Sequence, residues 1–298
     1  MKRFLIALLC GLCLDAMAQV DLIPDMKFRR LDTPNGLSSS QINCIFKDSR
    51  GYIWIGTPYG LNRYDGYRVK TYYSNKRDTT TMRDNYTDRI YEASDGRLWM
   101  RQGMNYCVYD PVTEQFERNA SRVLAELGIK CNVEWLYIDS KKNIWVKDFV
   151  KAIYCYHPHA KKGEKIVTIK MGYGKNEFSP AYGISTVAEY GNLLIVATNN
   201  GELVCLNGDK GQVDWVDSWM HDNVRVENQE YRLYIDKDGN YWCEVLEHTC
   251  VYIQKEKKWY GSLPEFFTAK GIEGVPGPLM VWNLIVDDNN WLWLVCDH

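Results

Sequence analysis

The sequence predicts an all-β protein, a β-propeller of four-stranded antiparallel blades. One pattern recurs six times: a short apolar run, an acidic turn and a strand that usually carries a tryptophan. Neighbouring copies lie 45 to 51 residues apart, a period that accommodates about four short strands. The 11 Trp and 21 Tyr suit twisted, half-buried strands. Because blades bury their faces only against neighbouring blades, the unbroken repeat favours one domain.

The clearest copy contains the apolar run 42–46, the turn Asp48-Ser49-Arg50-Gly51 and the strand 52–57 around Trp54. Asp or Ser early in a turn and Gly late predict a tight hairpin, since the late residue adopts a positive φ. We interpret the repeat tryptophans as packing between blades, because a sugar-stacking row would not need to recur in every blade. A gapless alignment places these residues at the position of Trp54: Trp99, Trp145, Leu194, Trp242 and Trp293.

The fourth unit has lost its tryptophan but keeps the turn glycine Gly191. A helix is predicted at 120–127, as an insertion between blades two and three. Residues 19–41 form a leading segment, with a strand expected at 28–31 and a turn-rich stretch at 33–38. The predicted blades lie near 42–88, 89–132, 133–182, 183–231, 232–281 and 282–298.

The sixth unit reaches only the end of its tryptophan strand. A propeller that stops within a blade leaves an unpaired strand edge, which favours aggregation. We therefore expect the chain to be the front part of a longer protein or a truncated gene product.

The first eighteen residues have the features of a signal peptide. Lys2 and Arg3 precede an apolar core at 4–14, and Ala16-Met17-Ala18 is an A-x-A cleavage site. The apolar run is too short for a membrane-spanning helix, and no later stretch reaches about 18 apolar residues. We expect a signal peptide at 1–18, a propeller domain at 19–298 and a periplasmic location.

A formal net charge of -2 gives no electrostatic reason to expect nucleic acid or an anionic membrane as a partner. Eight cysteines remain after the leader, and no C-x-x-C pair suggests zinc. Four of them fall on or near one place, the strand after the tryptophan strand, which favours free core thiols over disulfides. These four are Cys107, Cys155, Cys205 and Cys250.

The sequence contains little that indicates a catalytic or a metal site. His157-Pro158-His159 is the only close pair of histidines, and its position predicts a solvent-facing loop. The stretch 236–240 resembles a calcium loop, but its glycine is fourth rather than sixth, so we interpret it as the ordinary repeat turn. No G-x-S-x-G elbow occurs. We predict no catalytic residue, metal or cofactor, although paired carboxylates for glycoside hydrolysis are a purely spatial feature.

The first repeat, I-x-x-I-x-x-D-S-x-G-x-I-W-I-G-T-x-x-G-L-x-x-Y-D, closely resembles the two-component regulator propeller repeat. With the opening at 28–38 and Gly66-Tyr67, the chain resembles the start of the sensor domain of hybrid two-component systems from gut Bacteroidetes. That resemblance implies a periplasmic sensor with two seven-bladed propellers and a β-sandwich, followed by a membrane helix, histidine kinase, receiver and DNA-binding domain. It also implies recognition of glycan breakdown products. This chain contains no kinase histidine motif and no nucleotide-binding glycine box.

We therefore expect a ligand-sensing propeller that binds an oligosaccharide and passes the signal to a kinase outside this chain. Homodimerisation through the full-length sensor and membrane contact through a later segment are further expectations. An exported propeller enzyme, either a polysaccharide lyase or a glycosidase, and a protein-interaction scaffold remain alternatives.

We expect the ligand to contact residues that the repeat does not require and that lie near the ends of blade strands. Trp259 and Trp282 are further aromatic residues outside the repeat. The predicted ligand-binding residues are Arg101, Trp135, Lys147, Trp215 and Trp219.

Overall fold

Twenty strands form five four-stranded antiparallel sheets, and two more strands form a sixth sheet. This computed structural model describes residues 30–298 apart from 175, 225–228, 247, 273–280, 287–291 and 297–298. Three of the predicted features lie outside the described residues: the signal peptide at 1–18, the turn at 287–290 and the side chain of Trp282. The strand expected at 28–31 lies half outside them, and its described residues 30 and 31 are not in a strand. Within each sheet the strands pair in chain order. The predicted propeller of four-stranded blades, with the sixth incomplete, is confirmed.

Each sheet is one blade, and its strands are numbered along the chain. Blade one contains β1 (Cys44–Lys47), β2 (Ile53–Thr57), β3 (Gly60–Tyr64) and β4 (Val69–Tyr72). Blade two contains β5 (Arg89–Glu92), β6 (Leu98–Gln102), β7 (Asn105–Asp110) and β8 (Gln115–Glu117). Blade three contains β9 (Val133–Ile138), β10 (Ile144–Asp148), β11 (Ala152–Tyr156) and β12 (Ile166–Lys170). Blade four contains β13 (Ile184–Tyr190), β14 (Leu193–Thr198), β15 (Leu203–Asn207) and β16 (Gln212–Asp217). Blade five contains β17 (Tyr231–Ile235), β18 (Tyr241–Val245), β19 (His248–Ile253) and β20 (Lys258–Tyr260), and blade six contains β21 (Val281–Val286) and β22 (Leu292–Cys296).

Three short α-helices lie in the connections between blades: α1 (Ala120–Glu126), α2 (Trp219–Val224) and α3 (Leu263–Lys270). The first was predicted, and the other two were missed. A capping signal for α3 was present, since the Ser262 side chain accepts a hydrogen bond from the Glu265 amide and Gly271 ends the helix at φ 65°. In the described part of the chain no helix has the length and apolar run needed to span a bilayer.

The up-and-down order of the strands gives the propeller two distinct faces. We call the upper face the one that carries the turns between second and third strands and the connections between blades. Contacts support this assignment, since Ser38, before β1, is hydrogen-bonded to Thr57 at the end of β2 at 2.9 Å. The lower face carries the turns between first and second strands, where Ser49 of blade one donates to Glu92 of blade two at 2.7 Å.

A repeated hydrogen bond between an aspartate and the tryptophan indole closes the first hairpin of blades one, three and five. In blade one, Asp48 Oδ1 accepts from the amides of Arg50 and Tyr52, and Oδ2 accepts from Trp54 Nε1 at 2.9 Å. The same bond joins Asp139 to Trp145 at 2.9 Å and Asp236 to Trp242 at 3.1 Å. One buried carboxylate thus fixes the turn and positions the indole.

Blade two departs from this arrangement. Ala93 occupies the aspartate position, and its backbone makes the same turn bonds, to Arg97 and Gly96. The indole nitrogen of Trp99 is consequently buried without a hydrogen-bond partner. An unpaired buried donor of this kind costs about 1–3 kcal/mol.

The repeat tryptophans of blades one to three pack against the following blade. Trp54 lies in one apolar cluster with Leu98 and Tyr109 of blade two, and Trp145 in another with Val204 and Leu206 of blade four. Trp99 likewise packs with residues of blade three, and Trp242 packs against β20 and α3. Trp293, after which the described chain forms no further blade, is 59% exposed.

The gapless alignment of the fourth unit is wrong by one residue. Leu194 packs towards blade three, whereas Ile195 packs towards blade five and so occupies the tryptophan position. The cause is the first hairpin, because β13 continues to Tyr190 and the chain turns at Gly191, at φ 61°, and residue 192. Since alternate residues of a strand face opposite sides, a shift of one residue exchanges the faces.

The cysteines follow the predicted pattern. Among the seven whose side chains are described, none is in a disulfide. The four named above lie on the third strands β7, β11, β15 and β19 and are fully buried. They therefore pack as small apolar residues within the blade interfaces.

We expect Asp48→Ala to lower the free energy of unfolding by about 2–3 kcal/mol, because it leaves two amides and the Trp54 indole without an acceptor. Ala93→Asp should raise it by about 1 kcal/mol by supplying the acceptor that Trp99 lacks. Urea denaturation monitored by tryptophan fluorescence measures both. The control is Asp95→Ala, which removes a solvent-exposed carboxylate of the turn in blade two. Equal losses in Asp48→Ala and Asp95→Ala would contradict the role of the indole bond.

Thiol reactivity should follow burial. Burial raises the pKa of Cys44, Cys131 and Cys250 alike to about 11, so access of the reagent to the thiol, rather than the pKa, sets the order. We expect iodoacetamide at about pH 8 to label the half-buried Cys44 and Cys131 first and the buried Cys107 and Cys250 only after unfolding. Peptide mass spectrometry reads out the order. A disulfide-linked peptide containing Cys107 or Cys250 in a non-reduced digest would show that these thiols are not free.

Candidate functional site at the channel mouth

A polar cavity of about 670 Å³ lies between the first strands of blades four and five and residues of blades one and two. It therefore occupies the central channel of the propeller. Its upper end lies where the first strands begin, and its lower end where they turn back. The lining residues are Asn43, Arg89, Thr186, Val187, Ala188, Glu189, Glu230, Tyr231, Arg232, Leu233, Tyr234 and Ile235.

Charged side chains from blades two and five meet at the upper end of this cavity, the channel mouth. Arg89, the first residue of β5, lies 3.9 Å from the carboxylate of Glu230, just before β17. Their side chains are 45% and 71% exposed, so both remain accessible to a ligand. Arg232, on β17, donates to Glu244 Oε1 on the neighbouring strand β18 at 3.1 Å.

Glu244 is the buried carboxyl group of this region. Its Oε2 atom is buried without a hydrogen-bond partner. Burial raises the pKa of Glu244 above its ordinary value, and the Arg232 charge opposes part of that rise. The carboxyl group is thus less readily ionised than an exposed glutamate.

Of the predicted ligand residues, Arg101 lies beside the mouth. It pairs in register with Arg89, and its guanidinium donates to both oxygens of Asp88 at 2.9 and 2.6 Å. Those bonds raise the pKa of Arg101 above its usual value. The Tyr86 hydroxyl donates to Asp88 at 3.5 Å, which adds an exposed ring to the cluster.

Trp135 and Lys147 lie opposite each other on β9 and β10, within the blade. Trp135 is buried and stacks on Tyr137, with ring centroids 6.0 Å apart. Lys147 is fully buried, forms an ion pair with Glu134 and has its Nζ atom 5.8 Å from the centre of the Phe178 ring. Neither presents a surface to a ligand without moving, so their ligand role stays a prediction.

Trp215 and Trp219 lie elsewhere, at the interface between blades four and five. Trp219 stacks on Trp259 with centroids 4.9 Å apart and an interplanar angle of 5°. Trp215 stacks on Tyr241 at 6.1 Å. The predicted ligand residues therefore fall in three separate places, and only Arg101 adjoins the channel mouth.

The paired histidines do not form a metal site. His157 Nδ1 lies 3.0 Å from Asn143 Oδ1, and Nε2 lies 3.2 Å from the carbonyl oxygen of Gly208 in blade four. His157 thus joins two blades, while His159 is exposed. Among the described residues no group of His, Cys, Asp and Glu is arranged to hold a metal. The Asp236 carboxylate is bonded to its own turn and to Trp242.

Sequence reasoning missed Arg89, Glu230, Arg232 and Glu244. A signal existed for Glu244, because it lies two residues after the repeat tryptophan of its blade, as Arg101 and Lys147 do in theirs. The other three lie at the start of first strands. Only the ring arrangement brings those starts together around the axis.

Residues 36–59 match the family model of the two component regulator propeller. The chain carries a two-component regulator propeller repeat. A segment of 55 residues is 38% identical to histidine kinase P4 of Formosa agariphila. The segment makes up 18% of this chain and 4% of the kinase.

Solved structures share the fold over most of this chain. Two are described as extracellular domains of hybrid two component systems from B. thetaiotaomicron. The first has a TM-score of 0.58 and 18% sequence identity over 90% of this chain. The second has a TM-score of 0.54 and 17% identity over 86% of this chain. PorZ, a surface component of the type-IX secretion system of Porphyromonas gingivalis, has a TM-score of 0.51 at 12% identity over 85% of this chain. The chain spans 34% of each of the first two and 37% of PorZ. At these identities the likeness shows the fold.

The Glu244 carboxyl should make stability depend on pH. Because burial raises its pKa above the ordinary value of 4.5, the folded protein binds this proton more tightly than the unfolded chain. Stability therefore falls as the pH rises from about 4.5 through the raised pKa. Glu244→Gln should flatten this part of the curve in thermal unfolding between about pH 4 and 7. The exposed Glu126→Gln is the control and should keep the wild-type slope; equal slopes in all three proteins would contradict the assignment.

Proposed function

We propose that this propeller is the extracellular sensing part of a two-component regulator and binds an oligosaccharide at the channel mouth. The repeat at 36–59 and the fold shared with extracellular domains of hybrid two component systems support the sensor role. The signal-peptide features at 1–18 support export to the periplasm. A kinase outside this chain would receive the signal.

The observation that carries the ligand proposal is the meeting of accessible Arg and Glu side chains at the mouth of a channel cavity. A sugar hydroxyl both donates and accepts hydrogen bonds, so a carboxylate and a guanidinium side by side can satisfy both roles. Arg89 and Glu230 provide this pair, and the exposed Tyr86 ring provides an apolar face for a pyranose. The cavity volume, about 670 Å³, falls in the range of small-molecule sites.

The same geometry favours binding over catalysis. A glycosidase needs one carboxylic acid poised to give up a proton and a second carboxylate across the scissile bond. At the mouth each described glutamate is already ion-paired with an arginine. Glu244 is buried, so Glu230 is the accessible carboxylate of the two, whereas a glycosidase needs two carboxyl groups that reach the substrate.

The test is isothermal titration calorimetry of the protein with a panel of neutral and acidic oligosaccharides. Arg89→Ala should weaken binding about 10- to 100-fold, because it removes charge-assisted hydrogen bonds to the ligand. Arg68→Ala, an exposed arginine on the lower face, is the matched control and should bind as wild type. If no member of the panel binds, or if Arg89→Ala binds normally, the channel site is wrong.

Two further variants separate this site from the sequence-predicted ones. Trp219→Ala and Trp135→Ala should leave affinity unchanged if the ligand lies at the mouth. A loss of binding in Trp219→Ala alone would place the ligand at the interface of blades four and five. Release of smaller sugars during the titration would favour the enzyme alternative.

A further inference from the structure

The outer turn of blade three, between its third and fourth strands, contains an insertion. This turn has four residues in blades one, two, four and five, whereas in blade three it spans the nine residues 157–165. Because successive strands alternate in direction, the outer turns share the lower face with the first turns. The His157 amide donates to the carbonyl oxygen of Lys165 at 2.7 Å and closes the base of the loop. Insertions into single repeats often lie on a binding face, so this loop marks a candidate surface.

A cavity of about 690 Å³ lies beside this inserted loop. It adjoins a smaller cavity of about 30 Å³ between blades three and four, since four residues line both. The larger volume falls in the range of small-molecule sites, and the smaller one is about the size of one water molecule. The shared lining residues are Lys141, Asn143, His157 and Asp209.

The first hairpin of blade four forms one side of the smaller cavity. This hairpin is one residue shorter than those of the other blades and turns at Gly191 and Asn192, which both line the cavity. On the other side, Gly208 packs so closely on Trp145 that a Cβ atom there would lie 2.7 Å from the ring. The close approach of Gly208 positions the next residue, Asp209, where the two cavities meet.

Two opposite charges stand at this meeting point, on either side of one amide group. Lys141 Nζ donates to Asn192 Oδ1, and Asn192 Nδ2 donates to Asp209 Oδ2 at 3.4 Å. The amide therefore lies between the ammonium group and the carboxylate. An ammonium group has three donors and a carboxylate has about four acceptor sites. Because Lys141 and Asp209 are both exposed, each keeps hydrogen-bonding capacity for a ligand.

The larger cavity also has an apolar wall. It consists of Ala160, Ile166 and Val167, and Ile166 is 37% exposed. Two further titratable side chains of the lining, His159 and Glu164, are exposed on the inserted loop. The cavity thus combines an ammonium group, a carboxylate and an apolar surface.

We propose that this lower-face cavity is a second ligand site, which binds an α-amino acid with an apolar side chain. The carboxylate of the ligand accepts from Lys141, and its ammonium group donates to Asp209. In an α-amino acid the two charged groups are joined through a single carbon atom. Their partners in the protein flank a single amide, so the spacings correspond. The side chain of the ligand covers Ile166 and Val167.

A ligand with one charge satisfies only half of this lining. An anion that pairs with Lys141 also meets the carboxylate of Asp209, and a cation that pairs with Asp209 meets the Lys141 ammonium group. Such contacts between like charges are unfavourable and select against the wrong ligand. A zwitterion avoids both of them.

The experiment is isothermal titration calorimetry of the protein with L-leucine and with analogues that change one feature each. L-Leucine should bind with a dissociation constant below about 1 mM. 4-Methylpentanoate, which lacks the ammonium group, and 3-methylbutylamine, which lacks the carboxylate, should each bind at least about 10-fold more weakly, because one charge of the site is left unpaired. Glycyl-L-leucine, whose charges lie farther apart, should also bind more weakly. Tighter binding of this dipeptide would contradict the amino-acid assignment.

Two variants test the charged pair. Lys141→Met and Asp209→Asn should each weaken leucine binding about 10- to 100-fold, since each removes a charge-assisted hydrogen bond and nearly preserves the size of the side chain. Lys162→Met is the matched control, because Lys162 is an exposed lysine of the same loop that does not line the cavity. It should bind leucine as wild type does.

Three outcomes would each overturn the proposal: no binding of leucine, equal affinity for leucine and 4-methylpentanoate, or an equal loss in the Lys162 variant. Circular dichroism should show an unchanged fold in all three variants, whose substituted residues are exposed. The result does not depend on whether an oligosaccharide binds at the channel mouth, because the larger cavity and the channel cavity share no lining residue.

Discussion

The hydrogen bond between the turn aspartate and the tryptophan indole is the interaction on which the rest of the propeller depends. In blade one, a single buried carboxylate closes the first hairpin and orients Trp54 towards the next blade. Blade stability and blade packing are thereby coupled, since losing the carboxylate frees the turn and the interface together. Blade two shows the consequence of omitting it, because Trp99 is equally buried but its indole nitrogen has no partner.

The meander of each blade places the structural hairpins and the channel-mouth residues on opposite faces of the propeller. The hairpins that carry the aspartates all fall on the lower face, where ionic contacts such as Lys142 with Glu92 tie neighbouring blades. The turns between second and third strands and the connections between blades fall on the upper face and are free of that constraint. The Arg89–Glu230 pair lies there. Loops positioned by a rigid scaffold commonly carry function for this reason.

The candidate site was only partly accessible to sequence reasoning. Searching for residues that the repeat does not require identified Arg101, which adjoins the mouth. The same criterion selected Lys147, whose side chain is fully buried. Spacing tells which strand a residue occupies, but it does not tell whether a side chain points into the channel, into the neighbouring blade or outward. Glu230 could not be found this way, because its partner Arg89 is 141 residues away in sequence.

The sequence by itself determined the propeller, its four-stranded blades, the buried tryptophans and the free thiols. Each follows from a local pattern, namely a hairpin turn, an alternating strand or a fixed period. Tertiary structure decided which face Leu194 and Ile195 present, since the first hairpin of blade four is one residue shorter than that of the other blades and so reverses them. It also decided where the channel mouth lies and what lines it. Closing blades around an axis brings together residues that share no local signal, and that depends on packing geometry rather than on any single segment.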